Sequence, residues 1–238
     1  MSAARPEPER PALVSAARRG RGDGGYVTEV SLPVVLAIGV FIVVVAVLAI
    51  RLAYGAPVDD TKAPVLVLGD SITDLGQREL RDTIGPLYAL SIEGQDNFRI
   101  DDLLPVAERW ATRDFDQVII NVGSNDVVQG WPLEQSGDGL EHMVGLFPEA
   151  RCIHVTTLSE QLPTRAASAE GNASALNETM RRLAADDRRV RVVDWNKIVV
   201  DSDAEGIELT SDGVHPTRDG QELLVAEYEK SALSCGAP

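Results

Sequence analysis

The chain has 238 residues, 44% hydrophobic, 25% charged and 5% aromatic, a balance that excludes a disordered or fibrous chain and suits one globular core of moderate size. Its 22 Lys+Arg stand against 37 Asp+Glu, a formal charge of −15. That excludes a nucleic-acid binder, which needs clustered cations opposite phosphate.

Residues 1–31 are rich in Ala, Gly, Pro and Arg, with five Arg (Arg5, Arg10, Arg18, Arg19, Arg21) and four acids, and they show no apolar period. They read as a disordered leader. Residues 32–50, from Leu32 to Ile50, are nineteen in a row without a charge. At roughly 1.5 Å per residue this run spans a hydrocarbon core of about 30 Å. A soluble helix so apolar on every face would need burial all round, so the run reads as a transmembrane helix. A cleavable signal peptide is the rival, because Ala53-Tyr54-Gly55-Ala56 resembles a cleavage site. Signal sequences, however, carry about 7–15 apolar residues after a short leader, and the expectation is an uncleaved anchor. Five Arg precede the run and only Arg51 and Lys62 follow it closely, which puts the N-terminus in the cytoplasm and the rest outside. Residues 51–63 form a linker. From Leu52 onward there are 16 Lys+Arg and 33 Asp+Glu, so the acidity belongs to the exported part, at −17, and the remainder carries +2.

Within 64–238, the run Pro64-Val-Leu-Val-Leu68 is continuously apolar and ends in Gly69, the pattern of a buried parallel strand. Similar runs recur at Leu87 to Ile92, Gln117 to Val122, Cys152 to Thr157 and Val190 to Trp195. Helical stretches lie between them at Leu75 to Ile84, Asp101 to Ala111, Leu133 to Phe147 and Ser168 to Asp187, with a last one at Arg218 to Ser231. The alternation predicts an α/β fold, a three-layer α/β/α sandwich around a five-stranded, mostly parallel sheet. Cys152 and Cys235 both fall in this part. An oxidising compartment permits a disulfide between them; the alternative is a buried strand thiol and an unrelated tail thiol. Asn172-Ala-Ser and Asn177-Glu-Thr match the glycosylation triplet, which recurs by chance and assigns nothing.

Ligands of such sheets bind beyond the carboxyl ends of the strands. Three strand-end loops carry unusual residues: Gly69-Asp70-Ser71-Ile72-Thr73, Ser91-Ile92-Glu93-Gly94-Gln95-Asp96 and Gly123-Ser124-Asn125-Asp126. Ser211-Asp212-Gly213-Val214-His215-Pro216 precedes the last helix. A serine becomes nucleophilic when a histidine held by a carboxylate takes its proton. Of the three histidines, His142 lies in a helical stretch and His154 in a strand, both structural settings, which leaves His215. Asp212, three residues ahead, can fold back onto Nδ1 while Nε2 faces outward. Each piece alone has a plainer reading: Asp70 and Ser71 can cap a helix starting near Thr73, and Asp212-Gly213 can be an ordinary turn.

Together, in this order, the four elements resemble the SGNH, or GDSL, hydrolases over roughly Pro64 to Ser231. Thr73 stands where the lipase elbow requires a second glycine, which separates the chain from the classical α/β-hydrolases. The resemblance implies the flavodoxin-like SGNH fold, Ser71 as nucleophile, Asp212 and His215 completing a triad, and an oxyanion hole of the Ser71 and Gly94 N–H groups and the Asn125 amide. It implies no metal and no organic cofactor. Asp70 and Asp126 are expected to fix their loops. Trp131 is a candidate to stack on a sugar ring, with an interface or core tryptophan as the alternative. The expected activity is hydrolysis of a carboxylic ester, with acetyl among the acyl groups, carried by a small molecule, glycan or lipid. Transfer of the acyl group to a cell-envelope sugar, or a silent anchored binding domain, are the alternatives. The expected partners are that substrate and, through the N-terminal helix, the membrane, with no nucleic acid; the pattern does not specify the oligomeric state.

Overall fold

Five strands form the centre of the molecule: β1 (Pro64–Gly69), β2 (Ala89–Gly94), β3 (Gln117–Asn121), β4 (Cys152–Thr156) and β5 (Val190–Val193). They pair in the order β2-β1-β3-β4-β5 and every pair is parallel. The computed structural model describes residues 38–43, 45, 61–161 and 169–236. The expected leader, the linker up to residue 60 and most of the expected anchor lie outside the described residues. Residues 38–43 and 45 are helical, and among the described residues no helix is long and apolar enough to cross a membrane. The chain divides into two units, Met1–Ala56 and Pro57–Pro238, and the sheet belongs to the second.

The continuous apolar runs follow from burial on both faces of the sheet. Because side chains alternate across a strand, one run serves two cores. Leu66 and Leu68 of β1, with Val118 and Ile120 of β3, join α3 (Ile100–Trp110), α5 (Leu133–Gly145) and α6 (Ala169–Asp186) in one core. Val65, Val67 and Ile119 face the opposite way, onto α2 (Gln77–Thr83), α7 (Trp195–Ala204) and α8 (Arg218–Ser234). This is the expected three-layer sandwich, and the sheet is parallel throughout.

Differences from the expected elements are local. Three short helices are additional: α1 (Ser71–Leu75), α4 (Ser124–Gln129) and α7. The first two are five and six residues long, too short to show a helical period. The fifth strand stops at Val193 because Asp194 caps α7, accepting from the Lys197 N–H.

Strand order reverses between β1 and β3, since the chain runs from β1 outward to β2 and then returns to the other side. The crevice beyond their carboxyl ends is where such sheets bind ligands. On the far side of the sheet, α8 is fastened along β4 at three points. Thr156 Oγ1 lies 3.2 Å from Tyr228 Oη, His154 Nδ1 lies 2.7 Å from Ser231 Oγ, and Cys152 is joined to Cys235 in a disulfide. His154 also meets Gln117 Oε1 at 2.8 Å and is fully buried. His142 by contrast is exposed on α5.

Two predictions come from these tethers. The disulfide closes a loop of 83 residues, which by chain entropy stabilises the fold by up to about 4–5 kcal/mol. Cys152→Ala/Cys235→Ala should therefore lower the urea midpoint of the full chain, and an unchanged midpoint would contradict this. Burial, with the nearby Arg191 charge, pushes the His154 imidazolium down to about 4. The unfolded chain then takes up a proton first as pH falls, so stability is lost between the ordinary histidine range and about pH 4, by about 3 kcal/mol. Comparing His154→Gln with the wild type isolates this loss from carboxyl groups titrating over the same range. Equal slopes for the two proteins would refute it.

Candidate active site

Gly69 ends β1 opposite Gly94 on one side and Asn121 on the other. A Cβ on Gly69 would lie 2.5 Å from the Asn121 carbonyl oxygen and closer still to Thr73 Oγ1, so only glycine lets the chain turn here. Asp70 then caps α1: its N–H donates to the Asn121 carbonyl at 3.2 Å, and its Oδ1 accepts the Ile72 N–H at 3.0 Å. Ser71 thereby becomes the first residue of α1, buried except for 7% of its surface.

The loop before α8 is closed by its own backbone. The Ser211 N–H donates to the His215 carbonyl at 2.9 Å, the Thr217 N–H donates to the Leu209 carbonyl at 2.8 Å, and Gly213 turns the chain at a φ of 81°. Both Asp212 oxygens are engaged: Oδ1 accepts the His215 and Val214 N–H groups at 2.7 and 3.0 Å, and Oδ2 meets His215 Nδ1 at 2.8 Å. An ionised carboxylate only accepts, so Nδ1 carries the proton and Nε2 is left with a lone pair. That nitrogen lies 3.0 Å from Ser71 Oγ. Burial pushes the Asp212 carboxyl up, but its bonds from the His215 ring and from the His215 and Val214 N–H groups outweigh this and hold it below the usual carboxylate range.

Ser71, His215 and Asp212 are thus joined by hydrogen bonds. Gly94 ends the strand on one side of β1, and Asn125 lies just beyond the strand on the other. A Cβ on Gly94 would meet the Asp74 nitrogen at 2.4 Å, so α1 packs directly on this glycine. Asn125 follows Gly123, whose φ of 123° suits glycine alone. Its Nδ2 donates to the Phe98 carbonyl at 3.0 Å.

The two buried carboxyls beside these residues hold loops. Asp126 accepts the Ile100 N–H at 3.0 Å and the Ser136 hydroxyl at 2.7 Å, and burial raises its pKa. Asp70 is fully buried and, among the described residues, its Oδ2 has no hydrogen-bond partner. Burial pushes it up to about 7, against the Ile72 N–H bond and the pull of His215. At neutral pH much of it is therefore uncharged.

Trp131 presents one ring face to the Arg99 guanidinium, 3.7 Å from the ring centre, and its indole N–H donates to Asp101 Oδ2 at 3.2 Å. A sugar could reach only what Arg99 leaves uncovered. Residues to which the sequence pattern gives no part in the site also lie around it. Asn177 is fully buried and clamps Leu158, accepting its N–H at 2.7 Å and donating to its carbonyl at 2.9 Å. Both ends of this amide are thus committed inside the fold, at one of the two glycosylation triplets. Beside Asp212 an open groove is lined by Gln161, Asp203, Ile207 and Glu208.

Comparison with known proteins agrees with this fold. The profile of the GDSL-like lipase/acylhydrolase family matches residues 67–223. No curated protein sequence matches. A GDSL-like lipase from Bacteroides thetaiotaomicron shares the fold at a TM-score of 0.65 and 19% identity, over 79% of this chain and 96% of that one. The C-terminal catalytic domain of peptidoglycan O-acetyltransferase A from Streptococcus pneumoniae, carrying a methylsulfonyl adduct, does so at 0.58 and 16%, over 73% and 94%. A variant of an acetyl-xylooligosaccharide esterase from Geobacillus Stearmophilus does so at 0.58 and 17%, over 71% and 93%. At these identities the likeness shows the shared fold. The family match, which spans more than half of the length, places the chain in the GDSL-like lipase/acylhydrolase family of ester hydrolases.

Proposed function

We propose that the protein is a membrane-anchored, extracytoplasmic serine esterase whose nucleophile is Ser71. The observation that carries this reading is the unbroken chain from Ser71 Oγ to His215 Nε2 at 3.0 Å and from His215 Nδ1 to Asp212 Oδ2 at 2.8 Å. His215 Nε2 takes the hydroxyl proton as Ser71 Oγ bonds to the ester carbonyl carbon. The negative oxygen of the tetrahedral intermediate sits among the N–H groups of Ser71 and Gly94 and the Asn125 amide, while Asp212 stabilises the imidazolium. As the intermediate collapses, the ester C–O bond breaks and His215 protonates the departing alcohol. Water, deprotonated by His215, then attacks the acyl-serine and releases the acid and Ser71.

A sugar hydroxyl in place of that water gives acyl transfer instead. The likeness to a peptidoglycan O-acetyltransferase domain favours keeping this second reading, and the esterase likeness suggests acetyl as the first acyl group to try. The uncharged run 32–50, with five Arg before it, supports the anchor. The −17 charge of the exported part and the acidic groove beside Asp212 favour neutral over anionic substrates.

The full chain should hydrolyse a chromogenic acetate ester, and Ser71→Ala should abolish this; equal rates for the two proteins would remove Ser71 as the nucleophile and with it both the esterase and the transferase reading. Asn125→Ala should lower kcat by about 10²–10³ with Ser71 still present, and an unchanged kcat would remove the amide from the mechanism. Adding an acceptor glycan distinguishes transfer from hydrolysis by product. Protease applied to intact cells should release the catalytic domain, and protection of it would reverse the topology.

A further inference from the structure

Two segments from different strand ends are fastened together next to Asn125. On one side is 97–102, which leaves β2 and starts α3; on the other is 125–131, which follows β3. The chain reverses at Asn97, in the left-handed region at a φ of 60°, and thereby presents the Phe98 carbonyl. That carbonyl accepts the Asn125 amide at 3.0 Å. A carbonyl oxygen only accepts, so the Asn125 atom facing it must be nitrogen, and the amide plane is set by where Phe98 sits.

Phe98 is held by its own contacts, its ring packed against the core of α3, α5 and α6 and its N–H donating to the Gln95 carbonyl at 3.4 Å, and by its neighbour. Arg99 is bound by Asp102 through both Nε, at 2.9 Å, and Nη2, at 3.1 Å. This fixes the guanidinium plane, and it lies 3.7 Å from the ring centre of Trp131. Trp131 is held in turn: its backbone N–H donates to the Asp126 carbonyl at 2.7 Å and its indole N–H to Asp101 Oδ2 at 3.2 Å. The Ile100 N–H, bound to Asp126 Oδ2 at 3.0 Å, closes the seam from inside. The outer part of the seam, Arg99 over Trp131, stands apart from the triad's own hydrogen bonds and outside the two buried cores.

We propose that Arg99 and Trp131 are positioning residues that set the Asn125 amide for the oxyanion by fixing the Phe98 carbonyl. One Nδ2 hydrogen is committed to Phe98, and the other is aimed at the developing negative charge. Such an interaction matters in the transition state more than in substrate binding, so its loss falls on kcat. Trp131 then serves catalysis from behind the amide, in place of stacking on a sugar. The inference rests on the esterase reading for its consequence, although the fastening itself can be measured without turnover.

The test uses the purified full chain with Trp131→Leu, Arg99→Gln, Trp131→Phe and Asn125→Ala. Trp131→Leu and Arg99→Gln should each lower kcat about tenfold or more, since misplacing a catalytic group by about 1 Å can cost about 10²-fold, and KM should stay within about twofold. Trp131→Phe, which keeps an aromatic face under the guanidinium, should recover most of the rate. In an Asn125→Ala background Trp131→Leu should cost nothing further. Losses that multiply, or a raised KM with kcat intact, would overturn the proposal and return Trp131 to the substrate. As a readout independent of activity, the Asn125 side-chain amide protons, identified by their loss in Asn125→Asp, should exchange slowly in the wild type and quickly in Trp131→Leu. Equal exchange overturns the proposal. Faster exchange in a protein that hydrolyses no ester would support the fastening and defeat the esterase reading instead.

Discussion

Everything at the site depends on how closely the backbone packs where β1 ends. Gly69 has Asn121 on one side and Gly94 on the other, and the next residue already caps a helix. A side chain at Gly69 would push against the Asn121 carbonyl at 2.5 Å, and α1 could not start where it does. Ser71 would then leave the floor of the crevice. Because β1 is an inner strand flanked by β2, which ends in Gly94, and β3, which Asn125 follows, one turn sets Ser71, the proposed nucleophile, between both expected oxyanion donors. The reversal of strand order puts that position at the open mouth of the sheet. The fourth loop, with Asp212 and His215, arrives from the far end of the chain and is held by α8, itself fastened to β4 by Tyr228, Ser231 and Cys235.

Three aspartates near the site do different work because their surroundings differ. Asp212 is half exposed and saturated with N–H donors, so it stays ionised and can support an imidazolium. Asp126 is buried but bonded on both oxygens, and it joins two loops. Asp70 is buried with one oxygen unpartnered among the described residues, and burial dominates its titration. Sequence position alone would not rank them, since each sits beside a candidate site residue.

Strands and the longer helices are legible in the sequence because burial on both faces leaves continuous apolar runs and because α3, α5 and α8 are long enough to be periodic. Ser71, Asp212 and His215 are legible too, since their types and order are chemically demanding and His142 and His154 fall within regular elements. The short helices α1 and α4 are not, because five or six residues hold no period and their starts depend on Asp70 and Gly123 in three dimensions. The pairing of Cys152 with Cys235 stays open in the sequence, since only the docking of α8 on β4 brings them together. Trp131 is the instructive case: its nearness to Asn125 in sequence suggests contact with substrate, whereas its partner Arg99 lies far away along the chain and could be found only in the fold.

The central claim is that Ser71 is a nucleophile activated by His215. Treating the full chain with an alkyl fluorophosphonate and locating the adduct by mass spectrometry tests it most directly, because the reagent marks a serine made nucleophilic by a neighbouring base and needs no knowledge of the substrate. The predicted result is one phosphonyl group on Ser71, formed quickly in the wild type and scarcely at all in His215→Gln. Labelling of another residue, or equal labelling of both proteins, would contradict it.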